Sequence, residues 1–187
     1  MNILEIKEKV REKYGREHKR YLHIIGVYNL ATKLAIKYNC DVEKVQIAAL
    51  LHDYYKYESV EEMIDIIEDP VIIEKFKNNK EVYHAYASAA ALKKEFNIND
   101  EEIYNAIAHH VYGSYNMSRI EEIILISDYC EENRTHKSCV QVREILDKSL
   151  NKAIYCCLNN TIKFLEKKGV SLLNEQYEIK DQYKDKE

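Results

Sequence analysis

The sequence contains few of the residues that interrupt regular secondary structure. Only 4 glycines and 1 proline occur in 187 residues. Because these residues end helices and form the tight turns between strands, their scarcity favours long helices and disfavours a sheet with many turns. A chain of this length can bury one sizeable core without disulfides or structural metals. We therefore predict an all-α fold, a single helical bundle forming one domain.

Long apolar runs, basic blocks and paired cysteine motifs are also missing. No stretch of eighteen apolar residues occurs, and the N-terminal MNILEIKEKVREKY is charged and amphipathic, which argues against a membrane span or an export signal. The formal charge of -4 comes from scattered acids and bases, which disfavours a nucleic-acid partner. Five cysteines, none in a CxxC pair, indicate a reducing compartment. We expect a cytoplasmic protein without membrane or nucleic-acid partners.

The helix boundaries suggest how the domain is organised. Residues 1–15 are predicted to form an N-terminal helix, residues 16–168 the main bundle, and residues 169–187 a C-terminal segment whose polar tail is frayed beyond Tyr177. Ser59 and Ser118, each followed three residues later by glutamate, predict capped helix starts. The last long helix is predicted over about residues 138–168, ending at Gly169.

Histidines and aspartates recur, one or two at a time, within the apolar stretches of successive predicted helices. They are His23, His52, Asp53, His84, His110 and Asp128. Burying an imidazole or a carboxylate is costly unless a partner or a metal compensates. These side chains are also the usual nitrogen and oxygen ligands of iron, manganese and zinc. A single histidine in such a position is more often a hydrogen-bonded core or surface residue, but four histidines and two aspartates in this order predict a metal centre.

Two adjacent pairs constrain how these side chains can be used. Neighbours on a helix differ in direction by about 100°, so His52 and Asp53 can reach one metal only near a helix end. The pair follows the apolar run VEKVQIAALL, where a helix is expected to end. By the same reasoning His109 and His110 do not share one role, and we expect one to point inward.

The order of these six residues resembles the signature of the HD-domain superfamily of metal-dependent phosphohydrolases. Local sequence narrows the resemblance to the YqeK family of bacterial HD proteins, over roughly residues 16–168. The motifs that carry it are LLHDYYK ending at Lys56, VYHAYASAA around His84, AIAHHVYG around His110, and EENR ending at Arg134.

The resemblance implies a symmetrical dinucleoside tetraphosphatase, which cleaves diadenosine tetraphosphate to two ADP by attack of a metal-activated water. It implies iron, as one or two ions, with manganese or another divalent metal as the alternative. The implied partner is a dinucleoside polyphosphate or an ADP-like nucleotide, and a homodimer stays open. Residues that match the family's metal ligands are His23, His52, Asp53 and Asp128.

The resemblance places His84 and His110 on the phosphate side of the site, as catalytic and substrate-binding residues alongside the catalytic Asp53. The alternative is that both histidines hold a second metal. Asp53 is expected to be the central ligand that also orients the attacking water.

Three cations stand beside these motifs and are candidates for phosphate binding. They are Arg20, Lys56 and Arg134. Polyphosphate requires positive or hydrogen-bond-donating groups around it, and arginine can contact two oxygens at once. The alternative for each is a solvated position at a helix end.

Two other functions fit the same residues. One is a different HD reaction, on a nucleoside monophosphate or on guanosine tetraphosphate. The other is a nucleotide-binding module without catalysis. The products of hydrolysis distinguish these functions.

Overall fold

The computed structural model describes residues 1–186, which form eleven α-helices and one short 3-10 helix, Lys80–Val82, and contain no β-strand. The all-α prediction is confirmed. The α-helices are α1 (Ile3–Tyr14), α2 (Lys19–Lys37), α3 (Val42–Leu51), α4 (Val60–Ile67), α5 (Pro70–Lys75), α6 (Tyr83–Lys94), α7 (Glu101–Ala108), α8 (Arg119–Cys130), α9 (Lys137–Leu146), α10 (Leu150–Lys167) and α11 (Asn174–Asp181). None of them combines the length and the apolar composition needed to cross a bilayer.

Helix starts follow side chains that satisfy the free backbone N–H groups of the first turn. The hydroxyls of Ser59 and Ser118 accept from the third helical residue, and Glu62 and Glu121 bond back to the cap, as the sequence predicts. Asp100 caps α7 in a similar way. These caps fix where α4, α7 and α8 begin.

Helices α3 and α8 form the centre of the bundle. Residues 47–51 of α3 and residues 120–127 of α8 are buried on every side, as expected for helices surrounded by others. Helix α2 packs against both, and α7 also contacts both. The C-terminal end of α3 and the middle of α2 therefore lie close to α8.

The turn after α3 is held by residues from two other helices. The Tyr14 hydroxyl of α1 donates to the backbone carbonyls of Asp53, at 2.7 Å, and Tyr54, at 3.0 Å. Ser88 of α6 accepts a hydrogen bond from the Tyr55 backbone N–H at 3.0 Å. These contacts fix the backbone around the His52-Asp53 pair.

The prediction of one long helix over about residues 138–168 is wrong in one respect. This region contains two helices, α9 and α10, which are separated by residues 147–149. The Ser149 side chain accepts from the Lys152 backbone N–H at 3.3 Å and starts a new helix. The α10 helix ends just before Gly169, at which a positive φ of 72° terminates it.

The prediction of a frayed tail differs from the structure up to residue 186, and residue 187 lies outside the described residues. Residues beyond Gly169 form α11, and Tyr183 after it is fully buried. Its hydroxyl donates to a carboxylate oxygen of Glu122 at 2.7 Å. The Asn116 backbone N–H donates to Gln182 at 3.1 Å. A polar composition is compatible with order here because these polar groups find partners on α8 and on the loop before it.

Candidate metal centre

The six predicted histidines and aspartates lie together in the structure. They come from α2, the turn after α3, α6, the turn after α7, and α8. Five of the six are buried, and Asp128 is partly exposed on the side facing a cleft. Residues distant in sequence thus form one cluster.

The cluster consists of two sets of candidate ligands that share Asp53. The first set contains His23, His52, Asp53 and Asp128, and the second contains Asp53, His84 and His110. Within each set the ligand atoms lie within 4.8 Å of one another.

The two oxygens of Asp53 face different sets. Its Oδ2 lies 3.3 Å from His52 Nε2 and 3.6 Å from His23 Nε2. Its Oδ1 lies 3.1 Å from His84 Nε2 and 3.8 Å from His110 Nε2. A carboxylate with one oxygen toward each set could supply a ligand atom to either set.

All four histidines direct Nδ1 to an acceptor outside the cluster, which for His23 is a Glu131 carboxylate oxygen at 3.2 Å. His52 and His110 place Nδ1 against the carbonyls of Ala49, at 2.8 Å, and Ile107, at 2.7 Å. His84 does the same with the carbonyl of Glu81. Because carbonyl and carboxylate oxygens accept, each Nδ1 carries a proton, and each Nε2 faces the cluster, where it presents a lone pair when the ring is neutral.

The inward atoms of the cluster are mainly acceptors, which fits a bound cation. His23 Nε2 lies 3.4 Å from His52 Nε2 and 2.9 Å from Asp128 Oδ1, and His84 Nε2 lies 3.2 Å from His110 Nε2. Lone pairs facing one another at these distances repel unless a proton or a metal lies between them. Nitrogen and carboxylate donors are a ligand set for divalent iron, manganese or zinc.

The close packing of these ionisable groups shifts the pKa values of Asp53, His52 and His110. Burial disfavours ionised Asp53, but the combined attraction and hydrogen bonding of His52 and His84 outweigh it and hold the pKa of Asp53 well below its usual range. Burial also opposes a charged His52, yet Asp53 and Asp128 raise its pKa to about 9. Burial and the repulsion from His52 and His84 lower the pKa of His110 to about 3, so His110 is neutral. Without metal the cluster needs protons to balance its carboxylates.

Each of the three predicted cations contacts a different member of the cluster. Arg20 forms an ion pair with Asp53. The Nη2 of Arg134 lies 2.9 Å from Asp128 Oδ1, and Lys56 Nζ lies 3.2 Å from His84 Nε2. The Nε atoms of both arginines are buried and have no hydrogen-bond partner among residues 1–186. All three cations therefore contact the cluster, and the Arg134 side chain remains 37% exposed.

The side chains of the adjacent His109 and His110 point in different directions, as expected. His110 points into the cluster, whereas His109 turns away and donates from Nδ1 to Glu121 Oε1 at 2.7 Å. Ser114 donates to the same oxygen at 2.8 Å. His109 therefore ties the end of α7 to the start of α8.

The sequence reading missed Glu131, which is only 1% exposed and accepts from His23 Nδ1 at 3.2 Å. The backbone N–H and the side-chain amide of Asn133 donate to its other oxygen at 2.7 and 3.0 Å. Helix α2 has glycine at position 26 facing this carboxylate, where a Cβ would lie 2.1 Å from Glu131 Oε2. A carboxylate behind a ligand histidine fixes the ring and increases its basicity.

A cleft of about 790 Å³ opens on the cluster. Asp53, His84 and Asp128 lie at its base, and α10 forms one wall. The wall includes Asn160 and Phe164. The cleft is large enough for a nucleotide-sized molecule.

The helical fold and a centre built from the ordered histidines and aspartates define a class of protein. The sequence profile of the HD domain family matches residues 20–133, and the chain belongs to that family. The predicted HD-domain hydrolase family is thereby confirmed.

Comparison with individual proteins shows which members of the HD domain family the chain is similar to. The chain is 37% identical over 154 residues to the symmetrical bis(5'-nucleosyl)-tetraphosphatase of Bacillus subtilis, covering 82% of each chain. It is 33% identical over 186 residues to the protein of that name from Staphylococcus aureus, covering 98% of this chain and 95% of the relative. These matches confirm the resemblance to the YqeK family.

A solved structure is similar over its full length. A predicted HD superfamily hydrolase involved in NAD metabolism, from Clostridium acetobutylicum, superposes with a TM-score of 0.91 at 35% identity, covering 100% of this chain and 99% of that one. The helical arrangement described above is therefore that of an experimentally determined HD protein.

Proposed function

We propose that the chain hydrolyses dinucleoside tetraphosphates symmetrically, giving two ADP from diadenosine tetraphosphate. The observation that carries the proposal is the pair of ligand sets sharing Asp53 at the base of a cleft that also contains Arg20, Lys56 and Arg134. Such a site combines metal ligands with cations for a polyanion. The names of the relatives from Bacillus subtilis and Staphylococcus aureus support the substrate.

We assign the metal to His23, His52, Asp53 and Asp128, with His84 and His110 as ligands of a second ion. The Nδ1 contacts of His84 and His110 with carbonyls support this second role, because a neutral ring that donates from Nδ1 has no proton on Nε2 to give to a phosphate. A bound divalent metal would lower the pKa of water toward neutrality and polarise a phosphoryl oxygen.

The residues of the chain have separate tasks in this proposal. Asp53 holds the two ligand sets together, and its position between them suits it to orient water for attack on phosphorus. Arg20 and Arg134 line the cleft and bind phosphate oxygens through their guanidinium groups. Lys56, beside His84, neutralises part of the charge that develops as the anhydride breaks.

We propose iron as the native metal and the cytoplasm as the compartment. Neutral imidazoles with carboxylates are suited to ferrous iron, and manganese is the alternative that the same donors accept. The five cysteines are all free thiols in the structure, which supports a reducing compartment.

The experiment supplies anaerobically purified protein with ferrous or manganous ion and diadenosine tetraphosphate, and resolves the products by chromatography. We expect ADP as the only nucleotide product. ATP together with AMP would contradict symmetrical cleavage. Absence of turnover by protein that holds stoichiometric metal would favour a different nucleotide substrate or a binding role.

The Asp53→Ala variant tests the site within the same experiment. It removes the ligand shared by both sets, so we expect loss of bound metal and a fall in turnover larger than the roughly hundredfold that loss of a residue behind a ligand causes. Asp65→Ala is the matched control, because Asp65 is exposed on α4. Full metal content and activity in Asp53→Ala would refute the assignment.

A further inference from the structure

Two clefts meet at the metal centre, and Arg20 and Arg134 line both of them. The first, here the α10 cleft, is the one of about 790 Å³ with Asp53 at its base and Phe164 of α10 on its wall. The second, here the α2 cleft, measures about 470 Å³ and is lined by His23 and Tyr57. The two guanidinium groups therefore lie between the clefts.

Each cleft has one strongly exposed aromatic side chain. Tyr57 in the α2 cleft is 60% exposed and Phe164 in the α10 cleft is 56% exposed, the highest values for any aromatic residue that the structure describes. A cation lies over each ring. Arg20 Cζ is 5.5 Å from the centre of the Tyr57 ring, and Lys168 Nζ is 4.5 Å from that of Phe164. Exposed aromatic rings beside cations are suited to stacking with a nucleobase.

Symmetrical cleavage imposes a geometric requirement on the site. The scissile anhydride is at the middle of the tetraphosphate, and an identical ADP unit extends from it in each direction. With the central bond at the metal centre, the two nucleosides lie on opposite sides and equally many bonds away. A single nucleoside pocket meets only half of this requirement.

We propose that the α10 cleft and the α2 cleft each bind one nucleoside of the same substrate, with the bases stacked on Phe164 and Tyr57. The inference rests on the proposed function. Arg20 and Arg134 line both clefts, and their guanidinium groups bind the phosphates that join the two nucleosides. Water adds across the central P–O–P bond, one ADP remains bound in each cleft, and both products then dissociate.

The test compares two substrates with the same central anhydride. Diadenosine tetraphosphate has two nucleosides, and adenosine 5'-tetraphosphate has one, giving ADP and pyrophosphate on hydrolysis. The variants are Tyr57→Ala, Phe164→Ala and the double variant. Tyr104→Ala is the matched control, because its side chain is 38% exposed but lines neither cleft.

On diadenosine tetraphosphate we expect each single variant to raise KM about tenfold, and the double variant about a hundredfold, since each loses one base stack. On adenosine 5'-tetraphosphate the double variant loses one stack and should raise KM only about tenfold. Tyr104→Ala should leave both KM values unchanged. A Tyr57→Ala protein with wild-type KM on diadenosine tetraphosphate would overturn the proposal.

A binding measurement separates this inference from the proposed function. We expect equilibrium dialysis of the metal-loaded wild-type protein to give two ADP per chain, and each single variant to lose one of the two. Wild-type protein that cleaves the dinucleotide to ADP but binds one ADP per chain would overturn the two-cleft proposal and leave the proposed function intact. Wild-type protein that binds two ADP without cleaving would do the reverse.

Discussion

At the scale of single residues, Gly26 determines whether Glu131 can support His23. Because a Cβ at position 26 would lie 2.1 Å from Glu131 Oε2, we expect Gly26→Ala to displace this buried carboxylate from the histidine. Loss of such a partner typically weakens metal binding by about tenfold to a hundredfold. Metal affinity, measured by competition with a chelator, checks this prediction, and circular dichroism checks that the helices remain.

A double variant distinguishes this cause from a general disturbance of α2. If the clash acts through Glu131, then Gly26→Ala combined with Glu131→Ala should bind metal no more weakly than Glu131→Ala alone. Additive losses would instead indicate damage to the helix. Glu131→Gln keeps an oxygen that can accept from His23 and should recover part of the affinity.

Glu131 shows what a reading of the sequence could not supply at this scale. The candidate ligands were recognisable because polar residues stood within apolar helical stretches, as at Asp128. Glu131 lies in a polar loop and is separated from His23 by 108 positions. The contact of Glu131 with His23 depends on how α2 packs against the end of α8. Gly26 lies within α2 and not in a turn, so the sequence alone gives no reason for a glycine at this position.

At the scale of helices, Glu121 joins the end of α7 to the start of α8. It accepts from His109 Nδ1 at 2.7 Å, from the Ser114 hydroxyl at 2.8 Å, and from the Ser118 backbone N–H at 2.8 Å. Burial alone would raise its pKa, but these hydrogen bonds lower it from 4.5 to about 2. The ionised form is therefore stabilised by folding.

The sign of the resulting pH dependence follows from this lowered pKa. Stability from Glu121 is fully present above pH 4.5 and is lost as the pH falls toward 2, because the folded state resists taking up the proton. We expect Glu121→Gln to lower the free energy of unfolding by roughly 2 kcal/mol at pH 7 and by much less near pH 2. Urea unfolding of both proteins across this range measures the difference.

Glu62→Gln is the matched control for this prediction. Glu62 closes the equivalent capping box of α4 but is exposed, and within the described part of the chain its hydrogen bonds are with Ser59. We expect a smaller change in stability than for Glu121→Gln. Equal changes in the two variants would mean that the contacts with His109 and Ser114 contribute nothing beyond the cap itself.

Helix boundaries were predictable where the cap is visible in the sequence, as at Ser59 and Ser118. The break between α9 and α10 was not, because Ser149 has Lys152 rather than an acid three residues later and the apolar spacing continues across it. The order of α11 was also missed. It depends on Tyr183 reaching Glu122, a long-range contact that local composition does not encode.

At the scale of the whole molecule, the sequence indicates which side chains form the cluster but not how they divide into two ligand sets. That Asp53 belongs to two ligand sets follows from the directions of its two oxygens, which are set by the turn after α3. This turn is held in place by α1 and α6. The metal centre therefore depends on helices that contribute few or no ligands to it.

The same arrangement makes metal binding a contribution to global stability. The candidate ligands join α2, the turn after α3, α6, the turn after α7, and α8, so a metal that binds only the folded chain shifts the unfolding equilibrium. At a free metal concentration of about 100 times Kd this adds about 2.7 kcal/mol. For a domain of this size we expect a rise in Tm of roughly 5–10 °C. Calorimetry of chelator-treated and metal-loaded protein measures it. Asp53→Ala should show no rise, and an equal rise in that variant would mean that the metal stabilises the fold from another site.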